Sequence, residues 1–360
     1  MLNMATNEPK YQRVKLYIKE LIREGVICNG QMLPSEYELM EMFAVSRHTV
    51  RQAFGELAKE GWVYKEQGRG TFANYNKNID HKGIIGVITT YISDYIFPHI
   101  ISGIEEVLAK GGYVLALANT NNNKEKEAQH IMNFMEQNIV GLIIEPTRSA
   151  EENTNLHLLK EVESRDIKTI FINAAYPDYD SPYIIMDDVK GGFTATQHLL
   201  QTGHRKIAGI FKKDDLQGLK REEGYKKALK SFNITPDESI IGHYGTESKG
   251  TYPYIFAQKL VESRERPDAI VCYNDEIAIK VVQAIRDRGL EIPDDISIIG
   301  YDDSALALAS DIKLTTIRHP KKQMGEQAAH YLIEMLENNI HKPVMTYEPE
   351  LIVRSSCKSL

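Results

Sequence analysis

Two groups of side chains in this sequence have the types and spacing to do chemistry, and in both the chemistry is recognition. The first lies in PSEYELMEMFAVSRHTVRQAFGELAKEGWVYKEQGRGTF, residues 34–72. Arg47 and Arg51 stand one helical turn apart, flanked by His48 and Gln52, and Arg69 sits between two glycines. Guanidinium forks on one helix face suit phosphates and base edges, and a glycine-rich turn lets backbone approach a phosphate closely. The second group is dispersed. Thr89-Thr90, Asp94, Glu145, Asn173, Asn274-Asp275 and Asp302-Asp303 each follow a short apolar run. Carboxylates and amides, joined by one arginine, pair well with hydroxyls that both donate and accept, so they point to a polyhydroxylated ligand. Phe97 or Tyr95 could lie against the apolar face of such a ligand.

Bond-making chemistry has little to stand on. The patterns GxxxxGK[ST], HExxH, CxxC and GxSxG do not occur, and the GRG of residues 68–70 lies outside any strand–helix–strand unit. Three cysteines, Cys28, Cys272 and Cys357, have no metal-ligand or redox spacing. The expectation is a non-enzyme with no metal and no cofactor. The start of the chain has no apolar signal region, and no apolar run reaches the ~18 residues of a membrane span. A cytoplasmic protein without membrane contact is expected.

The elements that must position these residues are legible in outline. Residues 11–25 place Val14, Ile18, Leu21 and Ile22 at spacings of three and four, an amphipathic helix stopped by Gly25. Ser35 with Glu38 forms a capping box opening a short helix with Leu39, Met40 and Phe43. Ala44-Val45 turns the chain, and Ser46 caps a third helix whose buried stripe is Val50, Ala53, Phe54 and Leu57. Helix, turn and a helix beginning in basic residues form a helix-turn-helix pattern, followed by two short strands around 66–70, a hairpin wing. Residues 1–77 carry 11 Lys+Arg against 9 Asp+Glu and the rest 32 against 41, so the basic surplus is confined to one end of a chain of net charge −7.

Residues 74–82 are polar and aperiodic and read as a linker between a domain of residues 1–73 and one of 83–360. From residue 83 apolar strand runs alternate with helical patterns, the signature of doubly wound α/β structure. Its length demands two lobes, with the Tyr-Pro-Asp-rich segment 176–182 expected to cross between them. Ligands of open α/β sheets sit at the carboxyl ends of strands, and in two lobes those ends face one another across a cleft. Asp187 and Asp188 are expected to cap the helix that follows them. For Asn274, Asp302 and Asp303 a turn or capping role competes with ligand contact.

PSExxL, SRHTVRxAxxxLxxEG and GxGTF, in that order, resemble the winged helix of GntR-type regulators. That resemblance implies base or phosphate contacts from Arg47, His48, Thr49 and Arg51 of the recognition helix and from Gln67 and Arg69 of the wing. Lys10 would hold phosphate, and Glu36 would accept from a cytosine amino group unless it serves only its own helix N-terminus. DDVKGGFTATQHLLQTGHRKIAGI, LKREEGYKKAL, DAIVCYNDEIAI, IPDDISIIGYDDS and LTTIRHPKKQMGEQA resemble the effector domain of LacI/GalR-type regulators, itself related to periplasmic sugar-binding proteins. By motif position Arg221 is implied to hold sugar hydroxyls or carboxylates, with Asn173, Asn274, Asp302 and His319 as further pocket positions. Where some relatives carry an aromatic after the strand ending at residue 244, this chain has Gly245-Thr246-Glu247, so Glu247 is expected to accept from a hydroxyl. The LacI-type helix-turn-helix and hinge helix are absent.

The expected fold class is therefore an α+β winged helix-turn-helix domain followed by a two-lobed, periplasmic-binding-protein-like α/β domain. The pairing is similar to that of arabinose-utilisation regulators of Gram-positive bacteria. It implies a dimeric, sugar-responsive repressor of operator DNA whose effector is a monosaccharide, L-arabinose. A regulator answering another sugar or a purine is the alternative, with a transport protein or a sugar enzyme behind it.

Overall fold

The computed structural model describes residues 9–74, 82–93, 95–309 and 311–360. They fall into two compact units that divide after His81. In the first, α1 (Lys10–Arg23), α2 (Glu36–Phe43) and α3 (Arg47–Lys59) precede a hairpin of β1 (Val63–Glu66) and β2 (Gly70–Ala73). Its core is the stripe read from the sequence, Val14, Ile18, Ile22, Leu39, Val50, Ala53, Phe54 and Leu57, closed by Leu33, Val63 and Ala73. The Ser35–Glu38 capping box is formed, and Ser46 accepts from the Thr49 amide at the start of α3. The turn between α2 and α3 places Ala44 in the left-handed region at φ 49°. Lys15 bonds both Glu56 and Glu60, tying α1 to α3.

The second unit holds two six-stranded sheets. The first lobe contains β3 (Gly83–Thr89), α4 (Phe97–Gly111), β4 (Tyr113–Asn119), α5 (Lys124–Glu136), β5 (Gly141–Ile144), α6 (Leu156–Ser164), β6 (Lys168–Asn173) and β7 (Tyr183–Met186). The chain then builds the second lobe from α7 (Asp188–Gln201), β8 (Ile207–Lys212), α8 (Leu216–Ser231), β9 (Ile241–Tyr244), α9 (Tyr252–Glu262), β10 (Ala269–Cys272), α10 (Asp275–Arg286), β11 (Ser297–Asp302), α11 (Leu306–Ala309) and β12 (Thr315–Arg318). It returns to the first lobe with α12 (Lys321–Leu336) and β13 (Val344–Tyr347), and ends in the second with β14 (Glu350–Ile352). The sheet orders are β13-β7-β6-β5-β3-β4 and β14-β12-β11-β10-β8-β9. All pairs are parallel except β12 with β14.

The crossovers differ from the expectation. Residues 176–182 join β6 to β7 within one sheet, and the chain passes between lobes after β7, after β12 and after β13. Proline and aspartate announce a turn, but only strand pairing decides whether the next strand stays in the same sheet. The three passages lie together along β7, β13, β12 and β14, so β4 and β9 are the strands farthest from them.

Glycines set the closest helix packing in each lobe. A Cβ on Gly103 of α4 would stand 2.3 Å from Lys322 O of α12, and one on Gly325 2.1 Å from Ile100 O. In the second lobe a Cβ on Gly192 would meet Arg221 O at 2.1 Å, and one on Gly224 would meet Val189 O at 2.0 Å. That second contact presses α7 against α8 and brings Asp188 beside Arg221. Because the obstructing atoms are backbone, the helices themselves must part to admit a methyl group. Gly325→Ala should destabilise the effector unit by about 1–3 kcal/mol, read as a lower midpoint in urea; an unchanged midpoint would contradict the close packing.

Candidate functional site

In the first unit Arg47, His48 and Arg51 stand exposed on the opening turns of α3, and Thr49 is half-buried beside them. Glu36, the first residue of α2, accepts from Arg47 Nε at 2.7 Å and from Arg51 Nε at 3.1 Å. Hydrogen bonds from Arg47 lower its pKa, with Arg51 adding to the effect. In this geometry the carboxylate holds the two guanidiniums, and their outer nitrogens stay available for an anion. Gln67 and Arg69 are exposed in the hairpin turn, where Gly68 takes φ 80°. The Arg69 guanidinium lies 5.7 Å from the Phe72 ring centroid and is paired with Glu66. Lys10 is exposed at the start of α1. The sequence thus places its basic and amide groups on the first turns of α3 and the hairpin tip, with an apolar stripe holding α3 from behind.

In the second unit a cleft opens at the carboxyl ends of both sheets. It is lined from the first lobe by Thr90, Tyr91, Tyr95, Phe97, Asn122, Glu145 and Asn173. Lys212, Asp215, Gln217, Tyr244, Lys249, Tyr273, Asn274, Glu276 and Asp302 line it from the second. Thr90 donates to Glu145 from both its amide (2.8 Å) and its hydroxyl (2.5 Å). Asn173 donates to the other Glu145 oxygen at 2.9 Å, and its own carbonyl oxygen lies 3.0 Å from His319 Nε2. Burial raises the Glu145 pKa against these bonds. Tyr95, at φ 64°, reaches across the cleft, donating toward Asp302 Oδ2 at 2.7 Å and accepting from the Asp275 amide at 3.2 Å.

Of the residues expected to meet ligand, Thr90, Phe97, Glu145, Asn173, Asn274 and Asp302 are thus brought to one cleft, and Asp94 lies outside the described residues. Asn274 also caps α10 by accepting from the Ile277 amide at 3.0 Å. Arg221 and His319 stand directly behind the lining. Arg221 donates to Asp188 at 2.8 Å and to Tyr273 O at 2.8 Å, lies 3.7 Å from Asp302 Oδ1 and rests 3.5 Å over the Tyr301 ring. Asp187 caps α7 through the Lys190 amide, whereas Asp188 is buried in this charge cluster instead of capping. Asp303 turns away from the cleft to Arg318 and Arg354. Glu247 is exposed and pairs with Arg148 of the other lobe, away from the cleft lining.

Sequence reasoning missed Lys212, Asp215, Gln217, Lys249, Tyr273 and Glu276. Lys212 to Asp215 carry the same strand-end signal that selected Glu145 and Asn173, immediately after the run ending at Phe211. Glu276 directly follows Asn274-Asp275, which the strand-end rule selected, and Lys249 lies in the turn beyond the end of β9. Lys212 is buried between Asp214 and Asp215, each at 2.9 Å, and Tyr273 donates to Asp215 at 2.8 Å. Gln217 Oε1, a buried acceptor on the lining, has no hydrogen-bond partner, whereas Asp302 Oδ1 makes no hydrogen bond but faces the Arg221 guanidinium. A buried acceptor is costly to leave unpaired, so Gln217 Oε1 marks where a ligand's donor belongs. Among the described residues no cluster of His, Cys, Asp and Glu could hold a metal ion, and no helix is long and apolar enough to cross a membrane.

Residues 10–73 match the family described as bacterial regulatory proteins, gntR family, and residues 196–357 match the periplasmic binding protein-like domain. The arabinose metabolism transcriptional repressor of Geobacillus stearothermophilus is 46% identical over 98% of this chain and 98% of its own length. The chain belongs to that repressor family. The repressor of the same description from Halalkalibacterium halodurans is 43% identical over 97% of this chain and 96% of its own. A LacI family transcriptional regulator from Enterococcus faecium, solved with bound ribose, superposes with a TM-score of 0.68 at 26% identity. That match covers 77% of this chain and 99% of the regulator. The two-unit architecture expected from the sequence, a GntR winged helix and a periplasmic-binding-protein-like α/β unit, is therefore the architecture of this repressor family.

His319 gives this family member a measurable signature. Burial holds its pKa well below the ordinary 6.5, with Lys321 and Arg221 adding repulsion. As pH falls through that ordinary value the unfolded chain takes up a proton that the folded chain refuses. The stability tied to neutral His319 is therefore present above about pH 6.5 and lost on acidification. His319→Gln, whose amide can still donate to Asn173, should lose less stability than the parent between about pH 7 and pH 5 in urea unfolding. Equal losses would remove His319 from the account.

Proposed function

We propose that this protein represses arabinose-utilisation genes by gripping operator DNA with α3 and the hairpin, and lets go when L-arabinose occupies the cleft. The cleft observation that carries the ligand class is the buried, unpartnered acceptor Gln217 Oε1. It calls for a donor, which a hydroxyl supplies. The lining carries Glu145, Asp215, Glu276 and Asp302 against Lys212 and Lys249, an acidic excess that opposes a phosphorylated or carboxylated sugar and favours a neutral one. Tyr91, Tyr95, Phe97 and Tyr273 supply flat apolar surface for the CH faces of a pyranose. Full-length similarity to repressors of arabinose metabolism supports a pentose among such sugars.

On the DNA side, the first turn of α3 enters the major groove and the wing follows the backbone. Arg47, His48, Thr49 and Arg51 face base edges and phosphates, with Lys10, Gln67 and Arg69 adding backbone contacts. Glu36 acts by aligning Arg47 and Arg51. Two chains pair through their effector units and present two winged helices to a pseudo-palindromic operator in the cytoplasm. Sugar and operator then oppose one another by the same factor, because each favours a different arrangement of one dimer.

Arg47→Ala should weaken operator binding about 10- to 100-fold in a mobility-shift titration and leave sugar binding intact, the loss of a base-edge or phosphate contact. Unaltered operator affinity would remove α3 from the interface. Gln217→Leu should weaken L-arabinose binding about 3- to 10-fold by calorimetry, with operator affinity preserved. Titration of L-arabinose, D-ribose, D-galactose and hypoxanthine against the same protein decides the ligand. Preference for the purine would overturn the sugar reading.

A further inference from the structure

The two lobes meet at the end of the cleft farthest from the three crossovers, and none of the groups that meet there belongs to a strand or to the crossovers. From the first lobe come the turn after β4 and the loop after β5. From the second comes the turn after β9. Asn122 donates through Nδ2 to Thr246 Oγ1 at 2.6 Å, and Thr246 in turn donates from its amide and hydroxyl to Asp214 Oδ2, each at 2.7 Å. Arg148 is fixed by Asn122: its amide donates to Asn122 Oδ1 at 2.8 Å and its Nε to Asn122 O at 3.0 Å. Of its two outer nitrogens, Nη1 donates to Glu151 of its own lobe at 3.3 Å and Nη2 pairs across the gap with Glu247. Deeper in, Ser149 Oγ accepts from the Leu216 amide at 2.9 Å, satisfying an otherwise orphaned N–H at the start of α8 from the opposite lobe.

Asn121, Asn122 and Arg148 all hold left-handed backbone, at φ 49°, 55° and 44°. Asparagine tolerates that region, but for arginine it is strained, and it is kept only where surrounding bonds over-determine it. Here those bonds aim one side chain at the opposite lobe. Because β4 and β9 are the strands farthest from the crossovers, a rotation about the crossovers moves these turns apart by more than any other part of the cleft. A rotation that opens the cleft would therefore break these contacts before any others across it.

We propose that Asn122, Arg148, Thr246 and Glu247 form a latch that sets how much of the protein is closed, so that they tune effector affinity as positioning residues. The proposal rests on the cleft being the effector site. A closed arrangement that is only fractionally populated raises the apparent dissociation constant in inverse proportion, so loss of a latch bond weakens every ligand of the cleft by one factor. Arg148 and Glu247 are partly exposed, so that factor is about two- to fivefold, and it shrinks with salt.

The test is calorimetric titration of L-arabinose and of D-ribose into the full-length protein, the E247A and R148A variants and the R148A/E247A double variant. The expected result is equal weakening of both sugars in each single variant, a double variant weakened by less than the product of the two single factors, and an unchanged urea midpoint. Small-angle scattering of the sugar-free variants should show a larger radius of gyration than the parent. Unchanged affinity in both single variants, or a change in the ratio of the two sugars, would overturn the latch. If neither sugar binds even the parent protein, the cleft reading fails instead, and the scattering comparison alone decides whether the latch stands.

Discussion

The effector unit depends on one buried cation. Arg221 is almost fully enclosed, and an isolated charge there would be strongly destabilising. It is tolerated because four groups from three parts of the chain converge on it: Asp188 at the start of α7, the Tyr273 carbonyl after β10, and the Tyr301 ring and Asp302 at the end of β11. Its charge is held firmly by Asp188 and Asp302. Asp188 lies where the chain first leaves the opposite lobe, so the same cluster joins a crossover to the floor of the cleft. The glycines at 192 and 224 allow α7 and α8 to approach closely enough for this to happen.

From that cluster the chemistry of the cleft follows. Asp302 is shared: one oxygen takes the Tyr95 hydroxyl from the other lobe, and the other faces Arg221 without a hydrogen bond. On the first-lobe side Glu145 plays the corresponding part, held by Thr90 and by an Asn173 that is itself backed by His319 on a crossover. Each lobe thus presents an acceptor whose position is fixed from behind by a residue tied to the crossovers. Contacts between the lobes span the cleft at Tyr95 with Asp302 and, toward β4 and β9, at Asn122 with Thr246 and Arg148 with Glu247. The DNA-reading unit uses the same economy on a smaller scale, with Glu36 aligning Arg47 and Arg51.

Local physics left its trace in the sequence, and where it governs, reading the chain was enough. Periodicity of three and four gave the three helices and core of the first unit. The Ser35–Glu38 and Ser46 caps could be named because a cap is satisfied within four residues. Alternating apolar runs and helical patterns gave a two-lobed α/β unit, and the strand-end rule brought Thr90, Glu145, Asn173, Asn274 and Asp302 to one cleft. The order of motifs alone identified the pairing of a GntR-type head with a LacI/GalR-type effector unit.

Tertiary structure decided what depends on partners distant in sequence. Strand pairing moved the crossovers from residues 176–182 to the ends of β7, β12 and β13. Asp188, thirty-three residues from Arg221, became its counter-ion instead of a cap. Glu247, ninety-nine residues from Arg148, forms an ion pair with it between the lobes. A side chain's type and immediate neighbours determine what it can bond. Which of its possible partners it meets is set by the packing of whole helices and sheets, and no local pattern encodes that.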